Sequence, residues 1–258
     1  MIAVVLGAAA IAAYLWGVTQ YDRRFPQRRY SVLRITGFVC GAALLTAALA
    51  PPFDRAADAS FAAHMIQHII LWLVAPPLML LGAPLLLLVT VPPVGAVRRM
   101  TAFANSHAGR ALFSPLTAWL AFVFVLWAAH FSPLYESALT YPLVHAFEHA
   151  LFLFVAFLFW GAVVQAGYAP HPVSYPVRMF YLFFSIPQGA FLGFALGASG
   201  HVLYGHYLAG FGSAAAALAD QRNGADLMWV LGGFVLFIAF MCTAGVWASS
   251  ERGTAAAS

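Results

Sequence analysis

Four histidines occur in two identical spacings, His64-Met65-Ile66-Gln67-His68 and His145-Ala146-Phe147-Glu148-His149, each near the start of a long apolar run. On an α-helix, residues i and i+4 share one face with Cβ atoms about 5–6 Å apart, so each pair can aim two imidazoles at one point. Two such pairs have the chemistry of a metal or heme site. His130, at the end of another apolar run, is a fifth imidazole candidate. Imidazole accommodates zinc, copper, iron and nickel, whereas sulfur ligands shift the preference toward Cu(I). Met228 is the candidate thioether, because Met65 projects about 100° away from His64 on the same helix and suits packing.

The elements that must position these groups are membrane spans. Hydrophobic residues make up 63% of the 258 positions and charged residues only 8%, against about 25% charged in an average soluble domain. Apolar runs long enough to cross a hydrocarbon core predict seven spans, at about 2–20, 31–50, 61–82, 113–130, 143–165, 178–199 and 226–248. In the third, Pro76-Pro77, Gly82 and Pro84 predict a kink or a break. Proline removes an N–H and clashes with the preceding turn, and carbonyls freed inside a bilayer need new partners. The expected fold class is an all-α integral membrane protein, a single seven-transmembrane-helix bundle over residues 1–250 with a short cytoplasmic tail at 251–258.

The chain contains no lysine, so arginine sets the orientation. Arg23, Arg24, Arg28, Arg29, Arg34, Arg98, Arg99, Arg110, Arg178 and Arg252 fall on one side of the seven spans, and only Arg55 and Arg222 on the other. The positive-inside rule then places the N-terminus outside and the C-terminus in the cytoplasm. The first apolar segment lacks a basic leader region and a small-residue cleavage site, and is expected to be a retained helix. The net charge of +4 does not point to nucleic acid, because the arginines lie where topology needs them and no aromatic-basic stripe accompanies them. The lipid bilayer is the implied partner.

This topology sorts the histidines. His64, His68, His130, His145, His149, His201 and His206 fall at the outer face, and His107 and His171 in cytoplasmic connections as solvated loop residues. The two pairs lie at matching depth, and ionisable groups inside membrane helices are costly and usually functional. His201 and His206 are expected to be surface or capping groups. Asp54, Asp58, Glu136, Glu148, Asp220 and Asp226 also gather on or near the outer side. A histidine ligand generally donates its second ring nitrogen to a carboxylate or carbonyl, a role open to Glu148, Asp220 and Glu136. Cys40 and Cys242 fall at different depths in separate spans, which argues for buried small side chains rather than a disulfide. There is no His-Glu-x-x-His, no Gly-x-Ser-x-Gly and no phosphate-cradling glycine loop.

Three blocks of the chain carry a family resemblance. Phe61 through His64-Met65-Ile66-Gln67-His68 to Ala75-Pro76-Pro77 and Leu81-Gly82-Ala83-Pro84 resembles the signature of the CtaG-type cytochrome c oxidase assembly factors. His130-Phe131-Ser132-Pro133-Leu134-Tyr135, followed by His145 to His149 and Phe159-Trp160, is similar to that family's second block. Leu203-Tyr204 to Tyr207, Asp220-Gln221 and Met228-Trp229 are similar to its third. The pattern is departed from at Gly224-Ala225 and Asp226, and His201 stands outside it.

The resemblance implies a seven-span protein of the bacterial cytoplasmic membrane that assists metallation of a heme-copper oxidase, with copper, as Cu(I), handled on the outer side and no catalysis. The expected ligands are two to four of His64, His68, His145 and His149, with His130 and Met228 as further candidates. Glu148 would orient a ligand, Asp220 and Gln221 would support the site or dock the acceptor, and Tyr135 and Trp229 would line its entrance. Delivery implies a shallow, incompletely closed site, and the implied partner is an oxidase subunit or another copper carrier. Two other readings of the same histidines are a bis-histidine heme cytochrome and a zinc-dependent membrane hydrolase with Glu148 as base.

Overall fold

The computed structural model describes residues 2–257, with side chains described through Arg252. The described chain is helical, with no strand. In order the helices are α1 (Ile2–Arg24), α2 (Val32–Ala48), α3 (Pro51–Ala59), α4 (Phe61–Ile69), α5 (Ala75–Leu81), α6 (Pro84–Thr90), α7 (Val94–Asn105) and α8 (His107–Leu112). There follow α9 (Pro115–Phe131), α10 (Pro133–Thr140), α11 (Pro142–Val163), α12 (Tyr175–Gly197), α13 (Gly205–Leu208) and α14 (Ala214–Ala257). Five helical stretches are long and apolar enough to cross a membrane, or seven if each of two bent pairs counts as one span. Residues 251–257 continue the last helix, and Ser258 lies outside the described residues.

Proline decides where these helices start. Proline at the first helical positions loses nothing there and forces the preceding residue into an extended conformation. Ser114-Pro115, Ser132-Pro133 and Tyr141-Pro142 all obey this, with ψ of 141°, 167° and 113° at the residue before proline. Ser114 and Ser132 also cap, their hydroxyls accepting from the Thr117 and Leu134 amides. The result is a bend of 69° between α9 and α10, and Ala50-Pro51 similarly turns α3 by 53° from α2. Both short arms fold over the end of the bundle that carries the histidines.

The third span breaks as expected, and the structure gives the detail. Residues Ile70–Val74 form a π-helical turn in which the Ala75 amide donates to the Ile70 carbonyl. Pro76 has no N–H to offer the Trp72 carbonyl four residues earlier, and the indole of Trp160 donates to that carbonyl instead, at 2.9 Å. The second interruption lies at Gly82-Ala83, where Ala83 takes φ of 50°. The Gly82 carbonyl accepts from Tyr14 at 2.9 Å and from Tyr30 at 2.7 Å. The Trp72 and Gly82 carbonyls thus find donors on other segments, as a bilayer interior demands.

Trp72 stacks on Phe122, which stacks on Phe159, so α9, α11 and the π turn share one aromatic core. The histidines lie above this core, ringed by Phe61, Tyr135, Tyr204 and Tyr207. At the opposite end Arg24 donates to the Thr90 carbonyl, and His171 Nε2 lies 3.0 Å from the Ala104 carbonyl. The arginine-bearing ends of α1, α6–α7 and the α11–α12 connection therefore meet there. His171 is half-buried in that contact rather than solvated. Cys40 and Cys242 are free, but both are exposed on the outside of the bundle, which corrects the expectation that they are buried.

Replacing Trp160 with Phe removes the donor to the Trp72 carbonyl together with part of a buried ring. We expect a loss of about 1–3 kcal/mol, the usual cost of a buried group left unpaired, read as a lowered midpoint of thermal unfolding in detergent; an unchanged midpoint would contradict this account of the π turn.

Candidate metal centre

The site begins with the start of α4. Ser60, the residue before the helix, accepts from the Ala63 amide and donates to Asp220 of α14 at 2.8 Å. The second Asp220 oxygen accepts from the Phe61 and Ala62 amides at 2.7 and 3.4 Å. A carboxylate on the first amides of a helix satisfies orphan donors and complements the helix dipole. Asp220 thus clamps the helix that carries His64 and His68 to α14. The two helices approach closely at that point, since a side chain at Gly224 would collide with Phe61.

Across from α4, α11 presents His145, Glu148 and His149. His64 and His145 ring centres are 5.4 Å apart, His64 and His149 6.3 Å, and His68 and His149 5.6 Å. The two pairs therefore converge, an adjacency that the sequence left open. Two overlapping donor sets result, one of His64, His145 and His149 and one of His64, His68 and Glu148, with donor atoms in each within 4.8 Å of one another. Glu148 is fully buried, and neither of its oxygens has a hydrogen-bond partner. The Nε2 atoms of His145 and His149 are likewise buried and unpartnered. Orphaned polar atoms of this kind are expensive in an apolar interior unless a cation or proton joins them. The donor set fits a metal ion. His64 Nε2 and His68 Nε2 lie 3.0 Å apart within it.

Tyr207 fixes the orientation of His64. Its hydroxyl lies 3.0 Å from His64 Nδ1 and 3.1 Å from the Tyr135 hydroxyl. Burial pushes the Tyr207 hydroxyl above the usual phenol range, so it stays protonated. If His64 Nδ1–H donates to the Tyr207 oxygen, the Nε2 lone pair faces the cluster, which is the tautomer a metal ligand needs.

The remaining candidates take different places. His130 lies on the far side of His68, ring centres 6.4 Å apart, and joins neither donor set. Met228 is buried in the aromatic cluster beside Met65. Gln221 holds the loop after α12, accepting from the Leu203 amide and donating to the Leu196 carbonyl. Tyr135 is completely buried against His64 and His130, so it is a wall of the site and not its entrance. Trp229 is 52% exposed, on the outside of the bundle, and does not line the site either. His206 caps the end of α3 through the Asp58 carbonyl and carboxylate. The α4 side of the site is closed, His64 and His68 being 1% and 6% exposed, whereas His145 on α11 is half-buried. One residue of the site, Tyr207, escapes the sequence reading. Tyr207 gave only its place in the third block. Glu148 gave a stronger signal, because His145-Ala146-Phe147-Glu148-His149 is the His-x-x-E-His arrangement of inverted zinc motifs.

The sequence profile of the cytochrome c oxidase caa3 assembly factor family matches residues 12–250. The chain belongs to that family. Among curated relatives, uncharacterised proteins of Mycobacterium bovis and Mycobacterium tuberculosis are each 27% identical over 262 residues, covering 97% of this chain and 39% of their own. One of Mycobacterium leprae is 24% identical over 260 residues, with coverages of 97% and 40%. The chain thus spans about two fifths of the length of these relatives. No solved structure matches it. Both histidine pairs, Glu148, Tyr207 and Asp220 lie within the part matched to the assembly factor family.

Two variants separate orientation from scaffolding. Tyr207→Phe is expected to weaken metal affinity about 10–100-fold, the usual effect of losing a ligand's supporting hydrogen bond, beside a cost of about 1–3 kcal/mol for the buried groups left unpaired. Asp220→Ala is expected to cost about 1–3 kcal/mol through the lost helix cap. Chelator competition and thermal unfolding on the same samples check both; equal effects of the two variants on affinity would contradict the division of roles.

Proposed function

We propose that the protein receives copper at the outer face of a bacterial cytoplasmic membrane, holds it as Cu(I) between α4 and α11, and passes it to a heme-copper oxidase subunit or another copper carrier during assembly. In this reading the N-terminus is outside and the C-terminus cytoplasmic, and the protein is a carrier rather than an enzyme. The observation that carries it is the convergence of unpartnered imidazole and carboxylate atoms in one buried space of a chain from an oxidase assembly family. His64 belongs to both donor sets, so the ion can exchange ligands around it. The outer set is all imidazole, and imidazole suits copper; the buried Glu148 supplies the negative charge that a cation needs in a low-dielectric site. Release would follow movement of the short arms α3 and α10 that fold over the cluster.

A second reading has a specific observation in its favour. His64, His145 and His149 are also a three-histidine zinc set, with Glu148 beside it as a base, the composition of a zinc hydrolase.

The test is oxidase activity in membranes of cells carrying His64→Ala with His145→Ala, grown at low and high copper. Activity is expected to fall at low copper and to recover in part at high copper, as loss of delivery predicts. Wild-type activity at low copper would overturn the proposal, and stoichiometric zinc with amide hydrolysis abolished by Glu148→Gln would establish the second reading.

A further inference from the structure

The candidate ligands continue past His68. A cavity of about 60 Å³ adjoins the cluster, and among its walls are Met65 and His68 of α4, His130 of α9 and Met228 of α14. Met65 and His68 are three residues apart and so share one helical face. All four side chains are buried. The rest of the lining is almost wholly apolar, and glycines make the room: Gly189, Gly232 and Gly233 line the space, and a Cβ on Gly233 would meet nothing within 4 Å. One water needs about 10–15 Å³, so an ion fits.

The donors are free to use it. His130 Nδ1 lies 2.8 Å from the Leu126 carbonyl, which fixes that nitrogen as the N–H and leaves the lone pair on Nε2. That Nε2 is buried without a partner, and so is His68 Nδ1. Neither thioether is needed to complete the imidazole–carboxylate cluster.

We propose that Met65, Met228, His68 and His130 form a second position for a soft monovalent metal ion, on the inner side of the imidazole–carboxylate cluster and sharing His68 with it. The proposal rests on the copper reading above and deepens it. Imidazole and carboxylate alone do not distinguish copper from zinc, whereas two thioethers in an apolar pocket favour Cu(I). A neutral imidazole offers one lone pair, so His68 serves one position at a time. An ion held by the outer donors can thus move inward by ligand exchange, and an ion that thioethers bind poorly stays behind.

The experiment is X-ray absorption on the full chain in detergent, loaded to saturation with Cu(I) and labelled with selenomethionine, at the copper and selenium edges. A copper–selenium contribution is expected, lost in Met65→Leu with Met228→Leu while nitrogen scattering at copper and one of two bound equivalents remain. Leucine for methionine conserves volume, and the labelled wild type needs no substitution at all. Copper bound with nitrogen and oxygen neighbours only, or selenium scattering unchanged in the double variant, overturns the second position and leaves the copper reading standing. Failure to bind Cu(I) at all overturns both.

Discussion

Everything at the histidine-bearing end of this bundle depends on holding polar side chains together inside an apolar interior. His64, His68, His130 and Glu148 are buried at a place where hydration is excluded, and their mutual contacts satisfy only part of their bonding capacity. Such an arrangement survives only if the surrounding helices are fixed firmly enough to prevent its collapse. The fixing is visible in the Asp220 clamp on α4, in the tyrosine pair behind His64 and in the indole bond from Trp160 to the third span. These three contacts come from α14, from α10 with α13, and from α11, so the cluster sits where separate parts of the chain meet.

The same physics that breaks the helices builds the site. Proline at the starts of α3 and α10 bends two spans and folds their short arms over the histidines. Proline after the π turn frees a carbonyl that recruits Trp160, and this contact ties the third span to α11 just below the cluster. The assembly is therefore rigid at its base and closed by short arms above, which suits a site that retains an ion and releases it only on demand. Thioethers beneath the cluster add softness where the outer donors offer none.

Much of this was legible in the chain. The i,i+4 spacing put each histidine pair on one helical face at matching depth, but whether the two helices touch was not legible and follows only from the packing of α4 near α11. Apolar runs located most of the long helices within a few residues, though the last begins at Ala214, well before the expected 226, and Pro76-Pro77 announced the break. What sequence could not show depends on tertiary partners: that Tyr207, from a loop far along the chain, would find His64 Nδ1, or that Tyr135 would be a buried wall while Trp229 turned outward. Glu148 was partly legible, since it lies three residues after His145 and shares its face; its complete burial without a partner was not. His130 and Met228 fell beyond the cluster because candidate ligands were gathered by membrane depth, which does not resolve position around the bundle axis.

The central claim is that His64 is the common ligand of the cluster. The most direct measurement is metal content and Cu(I) affinity of the purified chain beside His64→Ala, with folding verified on the same samples. The account predicts that the folded variant loses bound metal and its affinity together, because both donor sets contain His64. A folded His64→Ala protein with wild-type metal content and affinity would contradict it.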